Sequence, residues 1–177
     1  FSSPQRPVLA IVGGSKVATK LRVLTCLSRK VDLIIVGGGI ANTFLAASGK
    51  DIGNSLHEPG MIGVAREILD CGRIVLPTDA VVSSEIDEAA EWSVKKVDKV
   101  SSSDHILDVG PLSISKNRKL IFDAKTIIWN GPLGVFEIPQ FSAGTRELGK
   151  SIKESKAFSV AGGGDSISAI ESSGVQD

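Results

Sequence analysis

Short apolar runs alternate along this chain with segments whose apolar residues recur at helical spacing. PVLAIV (Pro7 to Val12) is apolar throughout and reads as a buried strand. Ser15 to Lys30 then sets Val17, Leu21, Leu24 and Leu27 on one helical stripe. VDLIIV (Val31 to Val36) is a second strand, and ANTFLAAS (Ala41 to Ser48) is a short helix stopped by Gly49. Pro59 opens a helix through Leu69, Gly72 follows it, and Arg73 to Leu76 is strand-like. Residues 80–109 have no clear period: short β-type pieces, AVVSS and KKVDKV, flank an acidic patch from Glu85 to Glu91. Beyond it the pattern predicts a helix within Asp108 to Asp123, a strand at Lys125 to Trp129 and an amphipathic helix over Phe141 to Lys153. A strand at Ala157 to Ala161 and a helix from Asp165 complete the series.

Strands that are apolar on both faces, separated by helices, predict a parallel sheet covered on each side. The expected fold is therefore a three-layer α/β/α sandwich with a mainly parallel, Rossmann-like sheet, as a single domain over residues 1–177. Right-handed crossovers would carry every strand-to-helix turn to one edge of that sheet, where open α/β sheets bind ligands. At this edge the sequence does something unusual. Apolar runs end in glycine clusters in AIVGGSK (10–16), IIVGGGI (34–40) and SVAGGGD (159–165). Glycine after a strand permits a tight turn and a close ligand, and the following helix offers N–H groups and a positive dipole end. One such cluster is more simply close strand–helix contact; several on one edge favour a phosphorylated ligand.

The unequal residues after the glycines sharpen this. Lys16 and Lys20 stand four apart at the start of a helix, so both ammonium groups are expected on one face near the strand edge. There they would neutralise a phosphoryl group, although two lysines on a helix are often only solvated. Ile40 follows the second cluster, which the family resemblance described below implies is the apolar, base-side wall. Asp165 is placed equally well to cap its helix or to hold Mg²⁺, with Ser166 adding a hydroxyl. WNGPLGVFE (129–137) pairs a turn signal with an apolar lip suited to a flat base, and Glu137 could accept hydrogen bonds from sugar hydroxyls. G-x-x-x-x-G-K-[ST] is absent, Gly37 to Asn42 lacks the third glycine of G-x-G-x-x-G, and no acidic residue ends the second strand. A nicotinamide or flavin enzyme is disfavoured on those grounds.

Bulk properties narrow the partner. Twenty Lys and Arg balance twenty Asp and Glu, so there is no electrostatic footprint for nucleic acid. No apolar run reaches the length of a bilayer span, and FSSPQRPV does not read as a signal peptide. Cys26 and Cys71 form no C-x-x-C pair, which suits a reduced, cytoplasmic setting. His57 and His105 read as surface or loop residues rather than metal ligands.

With these residues in view, the chain resembles the C-terminal, nucleotide-binding domain of the phosphoglycerate kinase family. The resemblance is carried by GGSKVATK (13–20), VGGGIANTFL (36–45), IGNSL (52–56), LPTD (76–79), LDVGP (107–111), KTIIWNGPLGVFE (125–137), F-x-x-GT (141–145) and AGGGDS (161–166), in the family's order. It implies phosphoryl transfer between 1,3-bisphosphoglycerate and Mg·ADP, giving 3-phosphoglycerate and ATP in glycolysis, by a monomer. Lys16 matches the lysine that stabilises the moving phosphoryl group, and Lys20 the one that contacts nucleotide phosphates beside Gly13 and Gly14. Gly37, Gly38, Leu56, Leu107, Pro132 and Val135 match the adenine pocket. Asn130 matches a phosphate-side contact, Glu137 the ribose acceptor, and Gly163, Gly164, Asp165 and Ser166 the phosphate and magnesium stretch, which moves Asp165 toward the metal role. Ser166 replaces a frequent Thr and keeps the hydroxyl. The resemblance also implies an N-terminal lobe holding 3-phosphoglycerate, a further glycine-rich loop and a C-terminal tail beyond these residues, so this chain alone is expected to bind nucleotide without turnover. The rival reading is a non-catalytic nucleotide-binding module of the same fold.

Overall fold

A computed structural model describes residues 3–173. Five strands form the main sheet: β1 (Val8–Val12), β2 (Leu33–Val36), β3 (Ile74–Val75), β7 (Thr126–Asn130) and β8 (Phe158–Ala161). All neighbouring pairs are parallel, in the order β3-β2-β1-β7-β8. The helices are α1 (Val17–Leu27), α2 (Gly38–Ala47), α3 (Ile62–Asp70), α4 (Pro111–Asp123), α5 (Ala143–Glu154) and α6 (Gly164–Ser173).

The period-two geometry of a strand explains the layering. Val8, Ala10 and Val12 of β1 face one side, where they meet Leu21 and Leu24 of α1, Ile40 and Phe44 of α2, and Ala65 and Ile68 of α3. Leu9 and Ile11 face the other, against Ile121 of α4, Leu148 of α5 and Ala169 of α6. Burial on both faces is why the run carries no polar alternation. The expected three-layer sandwich with a parallel sheet is what is observed.

Element ends differ from the sequence reading in instructive ways. The helix expected from Ala41 begins at Gly38, so the second glycine cluster is itself the first turn of α2. Lys16 is the N-cap of α1 rather than part of its body. Pro59 and Pro139 each open a single 3₁₀ turn before α3 and α5.

The region without a clear period holds a second sheet, antiparallel and in the order β5-β4-β6: β4 (Asp79–Ser83), β5 (Trp92–Lys96) and β6 (His105–Val109). β4 is buried along its whole length although it includes Asp79 and Ser83, whereas β5 is mostly exposed. Leu45 of α2, Ile52 and Val97 join this sheet to the α2 side of the main domain.

Candidate functional site

Chain order reverses direction across the sheet between β1 and β7: β2 and β3 lie on one side of β1, and β7 and β8 on the other. A crevice opens outside the carboxyl ends of the strands at such a switch point. The ladder runs one step past the strands into the glycines. Gly13 N–H donates to Asn130 O (3.0 Å), Gly37 N–H to Val12 O (3.2 Å) and Gly162 N–H to Trp129 O (2.9 Å). The three clusters therefore share one edge, as the sequence suggested.

Gly13 and Gly38 show how closely the clusters approach one another. A Cβ on Gly13 would lie 1.8 Å from Pro132 O, and one on Gly38, whose φ is +59°, would lie 3.0 Å from Gly14 N. The first cluster is thus pressed against both the second cluster and the 131–137 loop. A Cβ on Gly14 would stand 3.4 Å from Lys20 Nζ and 4.0 Å from Asp165 Oδ2, so the third cluster converges on the same point.

The cavity there has a volume of about 280 Å³. Leu56, Ile86, Leu107, Pro132 and Val135 give its wall an apolar part, and Gly14, Ser15, Gly38 and Asp165 a polar one. Glu137, His105 and Asn42 add hydrogen-bonding groups. Of the residues named from sequence, Gly14, Gly38, Leu56, Leu107, Pro132, Val135, Glu137 and Asp165 line this space. Gly13 and Gly37 lie behind it, the latter against Leu133, where a Cβ would come within 2.5 Å of Leu133 Cα. Asn130 faces the third cluster, its Oδ1 3.4 Å from where a Gly163 Cβ would stand, with Gly164 opening α6 beside it.

The two lysines play different parts. Lys16 is exposed at the N-cap of α1. Lys20 is half-buried behind Gly14 and donates to Gly13 O (2.7 Å) and, more weakly, to Asn130 O (3.4 Å). Burial lowers the Lys20 pKa, the Asp165 carboxylate opposes that shift, and the Lys16 ammonium adds to it. These three charges therefore form one electrostatic group. Neither α1 nor α2 has a side-chain cap or an acidic residue in its first turn, which leaves their positive ends open to an anion.

Several placements depart from expectation. Ser166 is fully buried, and its hydroxyl accepts from Gly131 N–H (2.6 Å) and donates to Gly162 O (2.9 Å), so here it fastens β7 to the third cluster. Ile40 is fully buried in the core, and Gly39 and Asn42 of α2 face the cavity instead. His105 is neither loop nor free surface: it lies in β6 and lines the cavity. Asn42 donates to Leu56 O (3.0 Å), while its Oδ1 is a buried acceptor with no partner among the described residues.

Two buried carboxylates were not legible as site residues. Asp79 accepts from Leu112 N–H, Ser113 N–H and Ser113 Oγ–H, and so caps α4 from a remote strand. Asp108 accepts from Val109 N–H (2.8 Å) and from Gly144 N–H (2.7 Å) at the start of α5. Burial pushes its pKa up to about 7 against the effect of those donors. Among the described residues no group of three His, Cys, Asp or Glu could cage a metal ion, and no helix is long and apolar enough to cross a membrane.

A family model described as phosphoglycerate kinase matches residues 1–177. The phosphoglycerate kinase from Coxiella burnetii matches with a TM-score of 0.96 and 46% identity, over 98% of this chain and 46% of that one. The enzyme from Pyrococcus horikoshii OT3 matches with a TM-score of 0.83 and 34% identity, over 96% of this chain and 44% of that one. The chain thus spans less than half the length of either structure.

Proposed function

The chain belongs to the phosphoglycerate kinase family, and on that premise we propose that its crevice is where such a kinase holds ADP or ATP. The observation that carries this reading is the divided wall of the cavity: Leu56, Leu107 and Val135 give an apolar surface, while Gly14 lies beside Lys20 and Asp165, with Gly38 packed against it. An apolar slot suits a purine, and glycine backbone at open helix N-termini suits its phosphates. Exposed Glu137 accepts from the ribose hydroxyls, and the orphaned Oδ1 of Asn42 gives a polar ligand an unmet acceptor.

In this reading Lys16 supplies a mobile positive charge to the phosphoryl group in transit, and Lys20 holds the phosphate-side backbone in place while adding charge behind it. Asp165, a lone exposed carboxylate in the first turn of α6, fits Mg²⁺ carried on nucleotide phosphates rather than an ion caged by protein. Such an ion would supply charge neutralisation at the phosphates. The whole protein would then transfer a phosphoryl group in line between 1,3-bisphosphoglycerate and ADP, with positioning and charge neutralisation supplying most of the acceleration. 3-Phosphoglycerate would be held by the part of the longer relatives that this chain does not span.

Calorimetry of the 177-residue chain with ADP, ATP and NAD, with and without Mg²⁺, tests the reading. ADP and ATP should bind, more tightly with Mg²⁺, without turnover. Binding of NAD in preference to both would overturn it.

A further inference from the structure

The loop at 131–137 forms one lip of the cavity, and its inner side rests on a carboxylate that no ligand can reach. Asp108 is buried in β6, and it is not among the cavity-lining residues. A Cβ on Gly134 would lie 2.5 Å from Asp108 Oδ1 and 2.6 Å from Leu107 O, so the lip has no space to settle closer. Val135 N–H donates to Leu107 O (2.8 Å), fixing the lip to the strand one residue before Asp108. The other oxygen, Oδ2, takes Gly144 N–H and holds the start of α5. The next residue of α5, Thr145, accepts Leu133 N–H through Oγ1 (3.0 Å), and Leu133 O accepts Gly38 N–H (2.9 Å). A continuous set of contacts therefore runs from Asp108 through the first turn of α5 to the lip, and from the lip to the second glycine cluster.

We propose that Asp108 is the positioning residue of this lip: its carboxylate joins β6 to the N-terminus of α5 and so sets the spacing between Val135 and Gly38 across the cavity. The chemistry suits the task. An ionised carboxylate only accepts, and both its neighbours in the structure are N–H donors. A protonated carboxyl or an amide must turn a donor toward one of them. Arg146 of α5 is the charged group acting on Asp108, and it favours the ionised form. No ion pair to Asp108 is found among the described residues, and the residue opposite it in β4 is the apolar Val81. Burial sets the protonation midpoint near pH 7. The lip should therefore be held firmly above that pH and released below it.

The consequence for affinity rests on the nucleotide reading, so the test has one arm without nucleotide. Hydrogen exchange at the Leu133 and Val135 amides is compared with that in β1 and β2 for the wild-type chain and Asp108→Asn at pH 8. The wild type is also measured at pH 6, which needs no variant to fold. The readout is protection relative to the intrinsic exchange rate at each pH, and the expected result is a loss of protection confined to the lip and the first turn of α5, in the variant and in wild type at low pH. A uniform loss of protection across the sheet would show a general stability role and overturn the proposal, as would unchanged protection of the lip. In the second arm, Mg·ADP affinity is measured for both proteins from pH 6 to pH 8. The variant should bind about tenfold more weakly at pH 8, the scale of one charge-assisted hydrogen bond. The ratio between the proteins should shrink toward pH 6, and taking the ratio cancels titration of the nucleotide itself. Equal affinities at pH 8 would overturn the link to the site. Local lip exchange with no ADP binding by the wild type would uphold Asp108 as positioning residue and sink the nucleotide reading alone.

Discussion

Replacing Lys20 by Met separates a fastening role from a ligand role. The substitution keeps most of the stem and removes the ammonium, which donates at 2.7 Å to Gly13 O and at 3.4 Å to Asn130 O. Those carbonyls end β1 and β7, the adjacent strands on either side of the switch point. The shorter contact is an ordinary charged hydrogen bond, of the kind that contributes about 1.5–3 kcal/mol; the longer one is too stretched to add much. Removing a half-buried ammonium also relieves its desolvation, so the expected net loss is about 1–2 kcal/mol. For a chain of this size that corresponds to roughly 2–8 °C in Tm. Urea and thermal unfolding of the nucleotide-free chain measure it. The pH dependence has a definite sign. Lys20 is a base whose pKa is lowered by folding, so between that lowered value and the ordinary 10.5 the unfolded chain binds more protons and wild-type stability rises with pH. The gap between wild type and Met should widen in that window. A variant of unchanged stability that no longer binds ADP would show the ammonium to be a ligand group only, and would refute the fastening argument.

Gly13→Ala should cost about 3 kcal/mol or more, because its Cβ would overlap Pro132 O, whereas Gly162→Ala, with nothing within 4 Å, should stay within about 0.5 kcal/mol of wild type. Denaturant midpoints for the pair check this, and equal stabilities would contradict the close-approach geometry. Asp165→Asn, at an exposed position, should leave unfolding within about 0.5 kcal/mol of wild type while removing most of the Mg²⁺ dependence of ADP binding, read by calorimetry with and without the ion. Retained Mg²⁺ dependence would remove Asp165 from the metal side.

Much of the main sheet was legible in the chain itself. Val8 to Val12 and Leu33 to Val36 are apolar without alternation because both faces are covered, and that pattern alone implies a parallel, sandwiched sheet. The glycine clusters then mark one edge of that sheet, since parallel strands with right-handed crossovers leave no other place for their turns. The second sheet escaped because a strand shows a period only when burial differs between its faces. β5 is largely exposed, and β4 hides Asp79 and Ser83 by bonding them, so neither displays the alternation of a half-buried strand.

The sequence by itself determined the layer architecture and the edge where the glycine clusters meet, and its resemblance to the kinase family named Gly38, Leu56, Pro132, Val135 and Glu137, which line the cavity. Tertiary structure alone decided what the polar groups do. Ser166 and Lys20 are chemically suited to a phosphate, yet each is already engaged by backbone from elsewhere in the chain: Gly131 and Gly162 for the serine, Gly13 and Asn130 for the lysine. Asp108 stands in the sequence only as part of LDVGP, and its burial becomes tolerable only when Gly144, 36 residues away, brings an N–H to it. Local pattern reports which face of an element must leave water. Whether a buried polar group is satisfied depends on partners that only the folded chain brings within 3 Å.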